Sequence, residues 1–368
     1  MLRQYKLRDY DFKLILLVIT LSVIGILAVG SAKEDLLVRQ IGGVCAGIVI
    51  MLFVSFIDYS LILYFYGYLY IINIILLLSV TFFGIEIGGA KRWVNIAGIQ
   101  FQPSETAKIL LILFFAQFIM KYREHLNTLK FLIICAVLLA IPLLLVYTQP
   151  DLSTSIMIVV IFCVMLFVGG LSYKIVGSVL AVVVPVISIF FFLILQPDQQ
   201  VIKEYQANRI LAWLQPEKYA DTIAYQTINS MTAIGSGQLW GKGLNNNVIA
   251  SVKNGNFISE PQTDFIFAVI GEELGFAGAC GVIILVILIV FECINIARIS
   301  KDLAGSIIAC GVAALIGFQS FLNMSVATGL LPNTGIPCPF ISYGLTSLVS
   351  LYAAIGILLN IRLQAKKY

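Results

Sequence analysis

Residues 264–293 read DFIFAVIGEELGFAGACGVIILVILIVFEC. From Leu274 to Phe291 the run is apolar, and a helix needs about 20 such residues to cross roughly 30 Å of hydrocarbon. The stretch therefore predicts a transmembrane helix over Asp264–Cys293, with acidic residues gathered at its start. Working outward, nine further runs have the same character: Phe12–Gly30, Ile41–Ile57, Leu61–Phe83, Thr106–Met120, Phe131–Thr148, Thr154–Gly169, Ile175–Leu195, Leu303–Thr328 and Thr346–Ile361. Unpaired backbone in hydrocarbon is too costly for anything but helices, and the alternation of a barrel strand is absent. The expected fold class is all-α: a polytopic membrane protein of about ten transmembrane helices, one membrane domain over residues 1–368.

Composition agrees. The chain of 368 residues is 60% hydrophobic and 11% charged, where soluble domains carry roughly 25% charge. Folded in water it would expose large apolar patches, which excludes a soluble globular protein. A net charge of +4 is too small to predict nucleic acid as a partner; the expected surroundings are membrane lipid. No cleavage site follows the first apolar run, so that run is expected to remain as an anchor. The seven cysteines form no CxxC pair, and His125 is the single histidine. Buried in apolar runs, such cysteines act as small hydrophobes, and neither a disulfide framework nor a zinc site is predicted.

Basic residues set the orientation. With the N-terminus inside, the inner segments hold Arg3, Lys6, Arg8, Lys13, Lys121, Arg123, Lys130, Lys174, Arg298, Lys301, Arg362, Lys366 and Lys367. Against these 13 stand four in short outer loops: Lys33, Arg39, Lys91 and Arg92. The expectation is a multi-pass protein of the cytoplasmic membrane with both termini cytoplasmic. Residues 196–263 then form a large extracytoplasmic loop between spans seven and eight. Helical patterning runs through Val201–Leu214 and Thr222–Ile234, followed by a Gly/Asn-rich section from Gly235 to Gly255. Trp213, Tyr219, Tyr225 and Trp240 suit a layer at the lipid headgroups. A loosely ordered loop with a few interfacial anchors is the plainer reading of the same residues.

Ionisable residues at membrane depth are costly, so each is a functional candidate, and four groups converge on the outer face. The first is Gly88-Gly89-Ala90-Lys91-Arg92-Trp93 with Phe101-Gln102-Pro103-Ser104-Glu105-Thr106-Ala107-Lys108. Ser104 can cap the fourth helix, and Glu105 and Lys108 share one helical face as a structural pair or as part of a site. Guanidinium and ammonium groups here suit a phosphate ligand. The second is Gln149-Pro150-Asp151-Leu152-Ser153-Thr154, where Asp151 caps the sixth helix on the ordinary reading and meets a ligand on the other. The third is Arg209 with Tyr225-Gln226 and the glycine-rich residues 235–244, whose spacing matches no phosphate loop. The fourth is Ser259-Glu260-Pro261-Gln262-Thr263-Asp264, running on to Glu272 and Glu273. A carboxylate at such a boundary is partly desolvated, which raises its pKa toward that of a general base. A plain N-cap from Thr263 or Asp264 is the alternative.

Five motifs together resemble the SEDS family (shape, elongation, division and sporulation proteins), whose members include RodA, FtsW and SpoVE. They are GAKRW at 89–93, FQPSETAK at 101–108, QPDLST at 149–154, TDFIFAVIGEELG at 263–275 and GLLPNTGIPCPFISYG at 329–344. The short N-terminus and lack of a long tail resemble RodA more than FtsW. Three places depart from the family pattern. An LPE(K/Q/A)HTDF-like run is ISEPQTDF here, PDLGT is PDLST, and SYGG is SYGL.

The resemblance implies a peptidoglycan glycosyltransferase polymerising lipid II, an undecaprenyl-pyrophosphate-linked disaccharide-pentapeptide, into β-1,4 glycan, with a class B penicillin-binding protein as partner. An α-linked donor becoming a β-linked glycan requires in-line inversion. One carboxylate should then take the proton of the attacking hydroxyl. By position and motif that catalytic base is Asp264. Lys91, Arg92, Lys108 and Arg209 are the candidate cations for the leaving pyrophosphate, with Glu105 holding Lys108 or helping to bind a divalent ion. Magnesium or manganese suits pyrophosphate and carboxylate oxygens, although no motif specifies a metal site. Two other classes use the same features: a lipid II flippase and a non-catalytic scaffold for a penicillin-binding protein. A flippase predicts charges spread through the bilayer depth, whereas these gather at outer helix ends, with Glu272 the deeper exception.

Overall fold

A computed structural model describes residues 10–87, 90–96, 98–194, 204–244 and 257–365. Arg3, Lys6, Arg8, Lys366, Lys367, the Gly88-Gly89 pair and the Asn-rich part of the long loop lie outside the described residues.

The helices run α1 (Phe12–Ala32), α2 (Leu37–Ser55), α3 (Tyr59–Tyr64), α4 (Tyr66–Phe83), α5 (Pro103–Lys121), α6 (Leu129–Thr148), α7 (Leu152–Gly169), α8 (Tyr173–Ile194), α9 (Glu204–Leu214), α10 (Tyr225–Ser236), α11 (Ile266–Ile299), α12 (Leu303–Ala327) and α13 (Leu345–Leu363). Among the described residues, nine of these are long and apolar enough to cross a membrane, and α8 is a further apolar helix. The protein is a multi-pass, predominantly helical membrane protein, as its apolar runs dictate. Buried side chains concentrate on α5, α12 and α13. Phe53, Phe82, Phe83 and Phe291 instead point outward, as expected where the solvent is lipid.

Three departures from the sequence reading matter. The run expected as one helix over Leu61–Phe83 divides at Phe65 into α3 and α4. Residues 84–101 form a small antiparallel sheet, β1 (Gly84–Ile87), β2 (Ala90–Ile96) and β3 (Ile99–Phe101), in that spatial order. Ser104 does not cap α5: Pro103 occupies the first turn after Gln102 without a side-chain cap, and the Ser104 hydroxyl instead accepts from Gln102 Nε2 at 3.2 Å.

The eighth predicted span, α11, is broken. Gly275 adopts φ 66° inside it, a conformation natural to glycine. The residues after the break rise about 36 Å at 1.5 Å each, enough to cross hydrocarbon unaided. A break strands carbonyls before it and N–H groups after it, and residues 237–243 supply the partners. Lys242 N donates to Glu272 O at 2.9 Å and Gly243 N to Glu273 O at 3.0 Å. In return Phe276 N donates to Gln238 O at 2.8 Å and Ala277 N to Leu239 O at 3.1 Å. The glycine-rich stretch is thus a backbone splice. A Cβ on Gly241 would lie 2.1 Å from Glu273 O, which is why the segment is glycine-rich. Both acids beside the break are matched, Glu272 by Lys242 at 2.8 Å and Glu273 by the Ser31 hydroxyl.

Gly241→Ala should therefore destabilise the protein by more than about 2 kcal/mol, combining a positive φ with a backbone clash. Gly235→Ala, at a helical position with nothing within 4 Å of the new Cβ, should be neutral or gain up to about 1 kcal/mol. Thermal unfolding of both variants in detergent checks the contrast; equal effects would contradict the splice.

Candidate functional site

The site is organised by residues 329–344, the irregular segment joining α12 to α13. Irregular backbone inside a membrane protein must find hydrogen-bond partners within the protein, and the partners here come from three different helices. Arg209 Nη1 on α9 donates to Asn333 O at 3.2 Å. Ser153 Oγ on α7 donates to Thr334 O at 2.6 Å. From α12, Asn323 Nδ2 donates to Ile336 O at 2.8 Å and Gln319 Nε2 to Pro337 O at 3.0 Å.

The same segment fixes the stretch before α11. Asn323 Nδ2 also donates to Asp264 O at 2.9 Å, Ser342 Oγ to Thr263 O at 2.6 Å, and Tyr343 N to Gln262 O at 2.9 Å. The backbone on either side of the carboxylate is thereby held, while its side chain is left available. Phe265 occupies the N-cap position of α11 with no side-chain cap, so neither Thr263 nor Asp264 serves as the plain cap. Gly335, at φ 69°, lets the backbone come close; a Cβ there would lie 3.5 Å from Asp264 Oδ2.

Asp264 is half-buried, and its carboxyl is pushed up to about 6. Burial, which penalises the anion, is the largest cause. The charges of Arg209 and Arg92 oppose it, while Glu260 and Asp151 add to it. These four charges come from the long loop, β2, the loop end of α7 and the approach to α11, so one carboxylate stands within electrostatic reach of two guanidinium groups.

The other expected site residues divide. Asp151 does cap α7, accepting from Thr154 N at 3.1 Å, but only with Oδ1. Its Oδ2 is buried without a hydrogen-bond partner, and Arg92 Nη1 lies 4.0 Å from Oδ1. Cap and site residue are therefore compatible roles for one side chain. Arg92 reaches this corner because Nε donates to Gln149 O at 3.2 Å and Nη2 to Pro150 O. Lys91 is next to it in sequence but on a strand, where neighbours face opposite ways. Its Nζ donates to Thr81 O at 2.8 Å, at the end of α4, and it does not join the Asp264 group.

Glu105 and Lys108 lie behind this surface. They are 5% and 2% exposed and paired at 2.8 Å, as their spacing on one helical face predicts. Lys108 Nζ also donates to Gln319 Oε1 at 2.9 Å, and Ser347 Oγ donates to Glu105 Oε2 at 2.7 Å. Gln319 thus connects the buried pair to the segment beside Asp264. A cation so enclosed sets the position of the 336–337 backbone in this conformation rather than presenting itself to a phosphate.

Gln319 and Asn323 are functional candidates that attention to charge alone overlooks. They stand four residues apart on one face of a transmembrane helix, a polar pair in an apolar run, and that spacing was available as a signal. Among the described residues no three acidic, histidine or cysteine side chains cluster as a metal cage. The buried Oδ2 of Asp151, which has no hydrogen-bond partner, is an oxygen left to meet a hard cation.

The family model for cell cycle proteins of the FtsW, RodA and SpoVE type matches residues 10–367. The peptidoglycan glycosyltransferase MrdB of Escherichia coli is 35% identical over 359 residues, covering 97% of this chain and 94% of that protein. The probable peptidoglycan glycosyltransferase FtsW of Bacillus subtilis is 33% identical, covering 98% and 92%. Among solved structures, the rod shape determining protein RodA of Thermus thermophilus superposes with a TM-score of 0.72 at 26% identity, covering 98% of each chain. A chain from a peptidoglycan synthase complex that coordinates polymerization and crosslinking gives 0.78 at 28% identity, covering 96% of this chain and 97% of that one. The chain belongs to the FtsW, RodA and SpoVE family of cell cycle proteins.

Proposed function

We propose that this chain is a peptidoglycan glycosyltransferase that polymerises lipid II into β-1,4 glycan strands, with Asp264 as its general base. The observation that carries the reading is one carboxylate that caps no helix, within electrostatic reach of Arg92 and Arg209 at the boundary of a transmembrane helix. Family membership and the named activities of the relatives supply the reaction class.

The chemistry follows from the charges. The acceptor sugar's 4-hydroxyl attacks the donor's anomeric carbon from the face opposite the pyrophosphate. The new C–O bond forms as the bond to the phosphate oxygen breaks, and the leaving group takes the electron pair. The hydroxyl proton passes to Asp264, whose raised pKa makes it a better acceptor than an ordinary carboxylate. Arg92 and Arg209 face the negative charge that grows on the pyrophosphate, where fixed cations act most strongly because water is scarce. Asp151, whose Oδ2 is buried with no hydrogen-bond partner, would help to hold a divalent cation, which would supply neutralisation of leaving-group charge. Lys108 and Glu105 are positioning residues that act through Gln319.

In this reading the end bearing α9, α10 and Asp264 faces the outside of the cytoplasmic membrane and both termini are cytoplasmic, in keeping with the distribution of basic residues. A class B penicillin-binding protein is the proposed partner. The relative solved within a synthase complex supports that choice.

Two experiments bear on this account. Asp264→Asn should leave the protein folded in detergent, with an unchanged melting curve, while glycan polymerisation from lipid II falls by about 10²–10⁴-fold. Retained polymerisation would remove Asp264 from the mechanism. Glu105→Gln alone strands a buried ammonium and should cost about 3–5 kcal/mol of stability, whereas pairing it with Lys108→Met should recover most of that loss. Equal losses in the single and double variants would show that the pair is not self-compensating.

A further inference from the structure

Beside the Asp264 group lies a groove that the polymerisation chemistry does not require. α9, α10 and residues 329–333 enclose a cavity of about 50 Å³ walled by Trp213, Ile223, Ala224, Ile228 and Met231, with Arg209 among its lining residues. A single water occupies about 10–15 Å³ on this measure, so several methyl-sized groups fit. The Trp213 indole N–H is taken up by Gly329 O at 3.1 Å, which leaves its ring as an apolar wall.

The rim is apolar too. Ile223 and Met231 are 41% and 39% exposed, and nearby Leu214 and Leu330 are also exposed. A large exposed apolar rim marks a surface that meets lipid or an apolar ligand rather than water. Among the described residues, the cation lining the groove is Arg209, which also acts on Asp264. A ligand seated here would therefore have its anionic part at Arg209, within reach of the reacting centre, and a hydrocarbon part continuous with it.

We propose that this groove holds the first isoprene units of the donor's polyprenyl chain, with Arg209 on the adjoining pyrophosphate. The inference rests on the glycosyltransferase reading and names the part of the substrate that the long loop recognises. It assigns the loop a task besides completing the fold: fixing the pyrophosphate by holding the chain attached to it. The isoprene units next to the pyrophosphate then become a determinant of donor affinity at a site outside the transmembrane helices.

The test uses purified full-length protein in nanodiscs and a polyprenyl pyrophosphate bearing a diazirine in the isoprene unit next to the pyrophosphate. Photolysis should label peptides from α9 or α10, and unlabelled polyprenyl pyrophosphate, but not added phospholipid, should compete. Labelling confined to the transmembrane helices, or equal competition by phospholipid, overturns the proposal. In a kinetic arm, Ile228→Trp fills the groove, and Ile223→Asp places a charge at a part-exposed position that folding tolerates. Each should raise KM at least about tenfold for lipid II with its native chain and for a farnesyl-chain donor alike, since both carry the first isoprene units, with little change in kcat. A KM unchanged for either donor overturns it. Labelling of α10 by a wild-type protein that polymerises neither donor would uphold the groove while counting against the glycosyltransferase reading.

Discussion

Four carbonyls on a short irregular segment, those of Asn333, Thr334, Ile336 and Pro337, have no regular backbone partner and need side-chain donors. Arg209, Ser153, Asn323 and Gln319 provide them. This one requirement draws α9, α7 and α12 together around the entrance to α11. Two of these donors also bear on Asp264, Arg209 through its charge and Asn323 through a hydrogen bond to the Asp264 carbonyl. The departures within the motifs at 258–264 and 342–345 leave these contacts intact, since Ser342 and Tyr343 still hold the backbone at Thr263 and Gln262.

Placement of the carboxylate is a balance of opposing effects. Burial penalises the anion, and with the charges of Glu260 and Asp151 it outweighs Arg209 and Arg92, so the acid titrates near 6 rather than near 4. Had both arginines closed into direct ion pairs with it, the carboxylate would be a weak base. Instead Arg92 is held by the carbonyls of Gln149 and Pro150, and Arg209 by that of Asn333. The guanidinium groups thus remain oriented without neutralising the base, an arrangement suited to meeting charge that develops on a leaving group. The buried Glu105–Lys108 pair contributes stiffness from behind through Gln319, and its charges are answered internally.

Much of this was legible in the sequence, for identifiable reasons. Apolar runs long enough to cross a bilayer located the helices, because hydrocarbon admits few other backbone arrangements. Asp264, Arg92, Asp151 and Arg209 stood out as charges at membrane boundaries, and the spacing of Glu105 and Lys108 foretold their pairing. What was hidden depends on partners distant in sequence. The break at Gly275 looks like one more small residue in a helix until residues 237–243 arrive to complete its hydrogen bonds. Lys91 and Arg92 read as one basic cluster because nothing local announces the strand that sends them opposite ways. Gln319 and Asn323 are uncharged, so the cost of a charge in hydrocarbon does not single them out, although they hold the segment on which the site is built.

The central claim is that a single carboxylate with a raised pKa accepts the proton in the rate-determining step. Its most direct measurement is the pH dependence of kcat/KM for polymerisation by the purified protein. A base must be deprotonated to act, so the account predicts that activity is lost as pH falls through about 6 and levels off above it, an acidic limb well above the ordinary aspartate value near 4. A rate that stays constant down to about pH 4.5 would place the essential base elsewhere.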